Sequence, residues 1–106
     1  MAEKRPNILH IFTDQLRFDA IAANGNPVIR TPNLDRLVRM GVDFENAYTP
    51  SPVCVAARCS MITGRYPTKT GCVSNDDMPE NMPSFMQILT ENGYRTDAVR
   101  TIAVLG

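Results

Sequence analysis

The sequence predicts an α/β fold with a mostly parallel sheet flanked by helices. Three observations predict it. Short apolar runs alternate along the chain with segments of helical periodicity. The first run is nearly continuous, as in a strand buried on both faces of a sheet. Polar residues crowd directly after it, which is where open α/β sheets place their ligands.

That first strand is residues 7–13 (NILHIFT), followed at once by Asp14, Gln15, Arg17 and Asp19. Residues 20–30 read as a loop, with Asn24-Gly25 and Asn26-Pro27 as turn signals. A helix then starts with Thr31 as N-cap and Pro32 in the first helical position. Leu34, Leu37 and Val38 share one face of it, and Gly41 terminates it. Residues 42–48 (VDFENAY) alternate as a short strand does.

After the proline-rich loop 49–52, residues 53–63 form a second helix with Val55, Cys59 and Ile62 on one side and Gly64 as its stop. Residues 65–83 read as one irregular loop, long enough to be functional and not merely a connector. Ser84 and Gln87 make a capping box for a third helix, with Phe85, Ile88 and Leu89 as its apolar face and Asn92-Gly93 as its end. Residues 94–105 are β-rich and supply a last strand.

Composition narrows the function classes. Lys plus Arg and Asp plus Glu each number 11 in 106 residues, so the net charge is zero. Such a chain has no electrostatic footprint for nucleic acid or for an anionic membrane. No apolar run approaches the ~18 residues of a spanning helix, and residues 1–7 are too polar for a signal peptide. From sequence alone the expected location is cytoplasmic. Three cysteines are an odd count, which argues against a closed disulfide framework.

Two clusters carry chemistry. Asp14 beside Gln15 offers paired hard oxygen donors of the kind that hold Ca²⁺ or Mg²⁺, although a turn with solvated charges has the same composition. Cys54 stands at a helix N-terminus, where the helix dipole favours a thiolate or an anionic substrate, and Arg58 lies one turn on along the same face. The competing reading is an inert cysteine, since free cysteines are among the most buried residues. His10 sits inside the apolar run and reads as a packed side chain. It is also the only histidine, so no Ser/His/Asp set can be built on it. Cys59 belongs to the buried helix face, and Cys72 falls in the loop as a thiol.

These motifs together resemble the N-terminal signature of the sulfatases, members of the alkaline-phosphatase-like superfamily of metal-dependent hydrolases. Pro6-Asn7-Ile8 through Asp14-Gln15 matches the family's opening strand and its acidic end. Cys54-Val55-Ala56-Ala57-Arg58 matches C-x-(P/A)-x-R, and Thr63-Gly64-Arg65-Tyr66-Pro67 matches the T-G-R-Y-P-like ending. ILTENGYRT resembles the next helix and strand, so the likeness covers about residues 5–99.

The resemblance implies a three-layer alkaline-phosphatase-like fold, with residues 1–106 as an incomplete, N-terminal part of the catalytic domain. It implies that Cys54 is oxidised to formylglycine by a sulfatase-maturing enzyme. The hydrated aldehyde then attacks the sulfur of a small-molecule or glycan sulfate ester, and the covalent intermediate collapses to regenerate the aldehyde. Arg58 would hold the formylglycine hydroxyl. Asp14, Gln15 and the modified Cys54 would bind a divalent cation, Ca²⁺ above Mg²⁺ or Mn²⁺.

Three departures matter. Ala56 replaces the commoner proline. Gln15 replaces the commoner aspartate, as in the branch with phosphonate monoester and phosphodiester hydrolases, which keeps that substrate class open. Thr101 and Ala103 stand where the family places a substrate-clamping lysine and histidine. The sequence then ends before the later ligand segments, so the piece alone is expected to be inactive, and a non-catalytic remnant is the alternative from a different class.

Overall fold

The computed structural model describes residues 5–75 and 79–98. They divide into two units, one running to Phe44 and one beginning at Glu45. The secondary structure of the described residues is helical throughout: α1 (Pro32–Met40), α2 (Cys54–Thr63), α3 (Pro67–Thr70) and α4 (Phe85–Glu91), with two single 3-10 turns at Phe18–Ala20 and Ala22–Asn24.

In the first unit, α1 begins where its local signals place it, with Pro32 at N1. Thr31 occupies the N-cap, yet its hydroxyl does not cap the helix. Its Oγ1 accepts the Ala22 N–H at 2.8 Å and donates to Asp35 Oδ1 at 2.8 Å. Asp35 Oδ1 also accepts the Ala23 N–H at 2.9 Å. Thr31 and Asp35 therefore satisfy the backbone donors of the 22–24 turn, and so tie it to the first turn of α1. Asn26 Oδ1 closes the following turn by accepting the N–H groups of Val28 and Ile29, at 3.0 and 3.1 Å.

The predicted sheet is absent among the described residues. Residues 7–13 and 42–48 form no ladder, and the described part of the predicted strand over 94–105 forms none either. The reason is nonlocal. A strand buried on both faces needs neighbours along its edges and layers above and below it. The first unit offers 3-10 turns and α1, and none of its described residues is buried. Leu9 is accordingly 84% exposed, and Ile8, Ile11 and Phe12 are exposed with it. His10 is exposed too, not packed, with its ring stacked on Phe12 at 6.2 Å between centroids. Residues 99–106, with the predicted end of the last strand and with Thr101 and Ala103, lie outside the described residues, as do Asp76 and Asp77.

The second unit holds the core. Ala56, Cys59 and Ile62 on α2 are buried, and Cys72 from the segment after α3 packs into the same cluster. Val53 and Val55 lie against it, Val55 only half-buried. Gly64 stops α2 in the left-handed region at φ 66°, where an L side chain is strained. The predicted loop 65–83 contains α3, one short helix bounded by Pro67 at N1 and Gly71 at φ 78°.

At α4 the predicted capping box forms by half. Ser84 Oγ accepts the Gln87 N–H at 3.1 Å. The Gln87 side chain does not reach back; its Nε2 donates to Glu91 Oε1 at 3.1 Å. The other end closes in a Schellman arrangement, with Tyr94 N–H donating to Leu89 O and Gly93 N–H to Thr90 O, both at 3.0 Å. Ser84→Ala is expected to lower stability by about 1 kcal/mol, and Ser84→Asp to restore most of it. Thermal unfolding followed by helical circular dichroism checks both.

Candidate active site

The site in the second unit is built by the loop that feeds α2. Thr49 Oγ1 donates to Ser51 O at 2.8 Å, and Ser51 Oγ accepts the Val53 N–H at 3.1 Å. Ser51 is itself buried, so this turn is fixed against the body of the unit. It leaves Val53 in extended backbone, φ −89° and ψ 128°, and the helix begins at the next residue. Cys54 is therefore the first residue of α2, one residue after the predicted start at Val53.

That helix end is chemically open. The first N–H groups of any α-helix lack intrahelical acceptors. Val53 has no side-chain oxygen to accept one, and no acidic residue lies in the first turn. Among the described residues, the partial positive charge of this helix end therefore suits an anion. Ala56 and Cys59 anchor the opposite side of α2 in the core, which turns Cys54 outward. Arg58 follows four residues on, on the face of Cys54, and is half-buried.

Asn75 is invisible to sequence reasoning. Its Oδ1 accepts the Cys54 Sγ–H at 3.4 Å, across 21 residues of chain. The length of the 65–83 loop is the one signal that points to it, and no spacing rule singles out the residue. The start of α2 thus carries a thiol hydrogen-bonded to a carboxamide, with a cation four residues on. This is equipment for handling a tetrahedral oxyanion.

The second predicted cluster lies in the other unit. Gln15 adopts φ 49°, the left-handed region that a non-glycine residue seldom takes. Arg17 and Asp19 pair with each other, Nε to Oδ1 at 2.9 Å and NH2 to Oδ2 at 2.6 Å. Donation to the Asp19 carboxylate raises the Arg17 guanidinium above its ordinary value. Asp19 is thus paired with Arg17, and the predicted oxygen donors in this unit are Asp14 and Gln15. Among the described residues no three His, Cys, Asp or Glu side chains converge on a metal position. Two donors fall short of the six to eight oxygens that Ca²⁺ takes. The described residues therefore do not complete a cation site. Adding CaCl₂ to the 106-residue chain is expected to leave its Tm unchanged, because stabilisation by a ligand requires appreciable affinity for the folded state. A rise in Tm would reveal further ligands.

Among the described residues, no helix is long and apolar enough to cross a membrane. The Sulfatase family model matches residues 6–103. An ulvan-active sulfatase of Formosa agariphila is 41% identical over 93 residues, which cover 87% of this chain and 18% of that protein. An arylsulfatase of Clostridium perfringens is 47% identical over 73 residues, covering 69% of this chain and 15% of that one. Human steryl-sulfatase is 34% identical over 107 residues, covering 90% and 18%. The chain thus spans less than a fifth of the length of these relatives.

Proposed function

Because the chain belongs to the sulfatase family, whose fold is alkaline-phosphatase-like, we propose that it forms the N-terminal part of a sulfuric ester hydrolase with Cys54 as the nucleophile position. The observation that carries the reading is the start of α2. Cys54 is exposed at an uncapped helix N-terminus, with Arg58 one turn behind it and Asn75 on its sulfur.

In this reading Cys54 is matured to formylglycine, which supplies a hydroxyl able to attack sulfur. The residues around it then have distinct tasks. The N–H groups of the first turn of α2 stabilise negative charge on the oxygens about residue 54. Arg58 orients the attacking hydroxyl and holds its charge through a guanidinium fixed by the helix. Asn75, already hydrogen-bonded to the side chain of residue 54, sets its rotamer. Asp14 and Gln15 contribute donors toward a divalent cation of which they are only part. The sheet layers, the cation's other ligands and the substrate pocket belong to the complete catalytic domain.

Two measurements test the proposal. The 106-residue chain is co-produced with a sulfatase-maturing enzyme, and the peptide carrying residue 54 is weighed; the expected mass is that of formylglycine. Residues 5–98 are also grafted in place of the matching segment of the Clostridium perfringens arylsulfatase, and hydrolysis of an aryl sulfate is followed. Gln15 is the one observation favouring phosphorus esters, so an aryl phosphonate is assayed beside it. Faster turnover of the phosphonate would reassign the substrate class. An unmodified thiol in the first experiment and no hydrolysis in the second would leave a family remnant without the chemistry.

A further inference from the structure

The cysteine count reads differently once the fold is known. Cys54 is exposed and belongs to the site, whereas Cys59 and Cys72 are the two largest fully buried side chains, 0% and 1% exposed. Both lie in one three-residue core cluster with Ala56. Cys59 projects from the buried face of α2. Cys72 is delivered to it by the tight end of α3, where Gly71 turns the chain in the left-handed region and Thr70 Oγ1 accepts the Cys72 N–H at 3.2 Å. None of the three cysteines is in a disulfide. The odd total therefore resolves into one cysteine at the chemistry and two in a shared core.

We propose that Cys59 and Cys72 are a redox pair, and that a small-molecule disulfide such as oxidised glutathione converts them into an intrachain disulfide. One thiolate of the pair attacks a sulfur of the small disulfide and releases one thiol. The second protein thiolate attacks the resulting mixed disulfide and releases the other. Two electrons pass to the reagent, and the two thiol protons end on its released halves. The bond joins α2 to the segment that leads, three residues later, to Asn75 and its hydrogen bond with Cys54. It therefore acts as a latch on the Asn75 side of the site. The thiols are shielded, so attack follows local opening of the 70–75 segment, and exposed Cys54 competes as the first residue to react.

The test uses the full 106-residue chain and its Cys54→Ser variant in glutathione buffers of rising oxidised fraction. Free thiols are blocked by alkylation, and the protein is then digested without reductant. The expected result is a peptide pair joined through Cys59 and Cys72, lighter than the separate peptides by two hydrogen atoms. It should form in both proteins, raise Tm, and revert with dithiothreitol. Cys59→Ala and Cys72→Ala variants should each lose the Tm rise on oxidation, whatever their starting stability. Links from Cys54 to either buried cysteine, glutathione adducts persisting on Cys59 or Cys72, or thiols that stay fully reduced would each overturn the proposal.

Discussion

Cys54→Ala is expected to lower kcat/KM for an aryl sulfate by about 10³-fold or more in the grafted catalytic domain, the range typical of a lost nucleophile. The fold gives the reason such a loss would be chemical and not structural. Cys54 is exposed at the first position of α2, on the side away from Ala56 and Cys59. Alanine there removes no core volume, and it keeps the helix start, because the N–H of Val53 is held by Ser51 and not by the cysteine. The substitution does remove the sulfur's hydrogen bond to Asn75. A stability change within about 0.5 kcal/mol is expected for such a surface substitution. Collapse of turnover with an unchanged Tm identifies residue 54 as the reacting group. Retained turnover would move the nucleophile elsewhere and remove the basis of the proposed function.

How much of this is legible in the sequence follows from the range of each signal. Helix ends are local, so Pro32 with Gly41, Ser84, and Asn92-Gly93 mark α1 and α4 to within a residue. The start of α2 at Cys54 is also readable, and with it the position of Arg58. The side-chain partners of those ends are less readable. Thr31 has the chemistry of a cap, but the turn at 22–24 captures its hydroxyl. Gln87 completes the box pattern, but Glu91 competes for its amide. The sheet is the largest difference between the sequence reading and the described residues. The apolar character of residues 7–13 states that the segment suits burial, not what will bury it. Asn75 escapes notice for the same reason, since an interaction over 21 residues leaves no periodic trace. The candidate site is recognisable through the resemblance of the segment around Cys54 and Arg58 to a longer family motif.

The second large effect concerns Arg58. Arg58→Ala is expected to lower kcat/KM by about 10²- to 10³-fold in the same graft, the usual cost of removing one preorganised donor to a developing oxyanion. The helix sets the geometry: four residues place its side chain over the turn that begins with Cys54. Arg58 as a residue is half-buried, and a side chain restrained by its surroundings has less freedom to lose at the moment of reaction. The same half-burial means that truncation also removes packing, and a fall in Tm alone would be ambiguous. Arg58→Lys separates the two roles. Lysine keeps the charge and most of the aliphatic stem, but presents a single ammonium in place of a planar fork. If the fork positions the hydroxyl of residue 54, lysine should recover stability while kcat stays depressed. If charge alone matters, lysine should recover most of kcat as well. A variant whose kcat/KM falls no further than its folded fraction does would reduce Arg58 to a structural residue, and the start of α2 would then lack the cation on which its oxyanion chemistry rests.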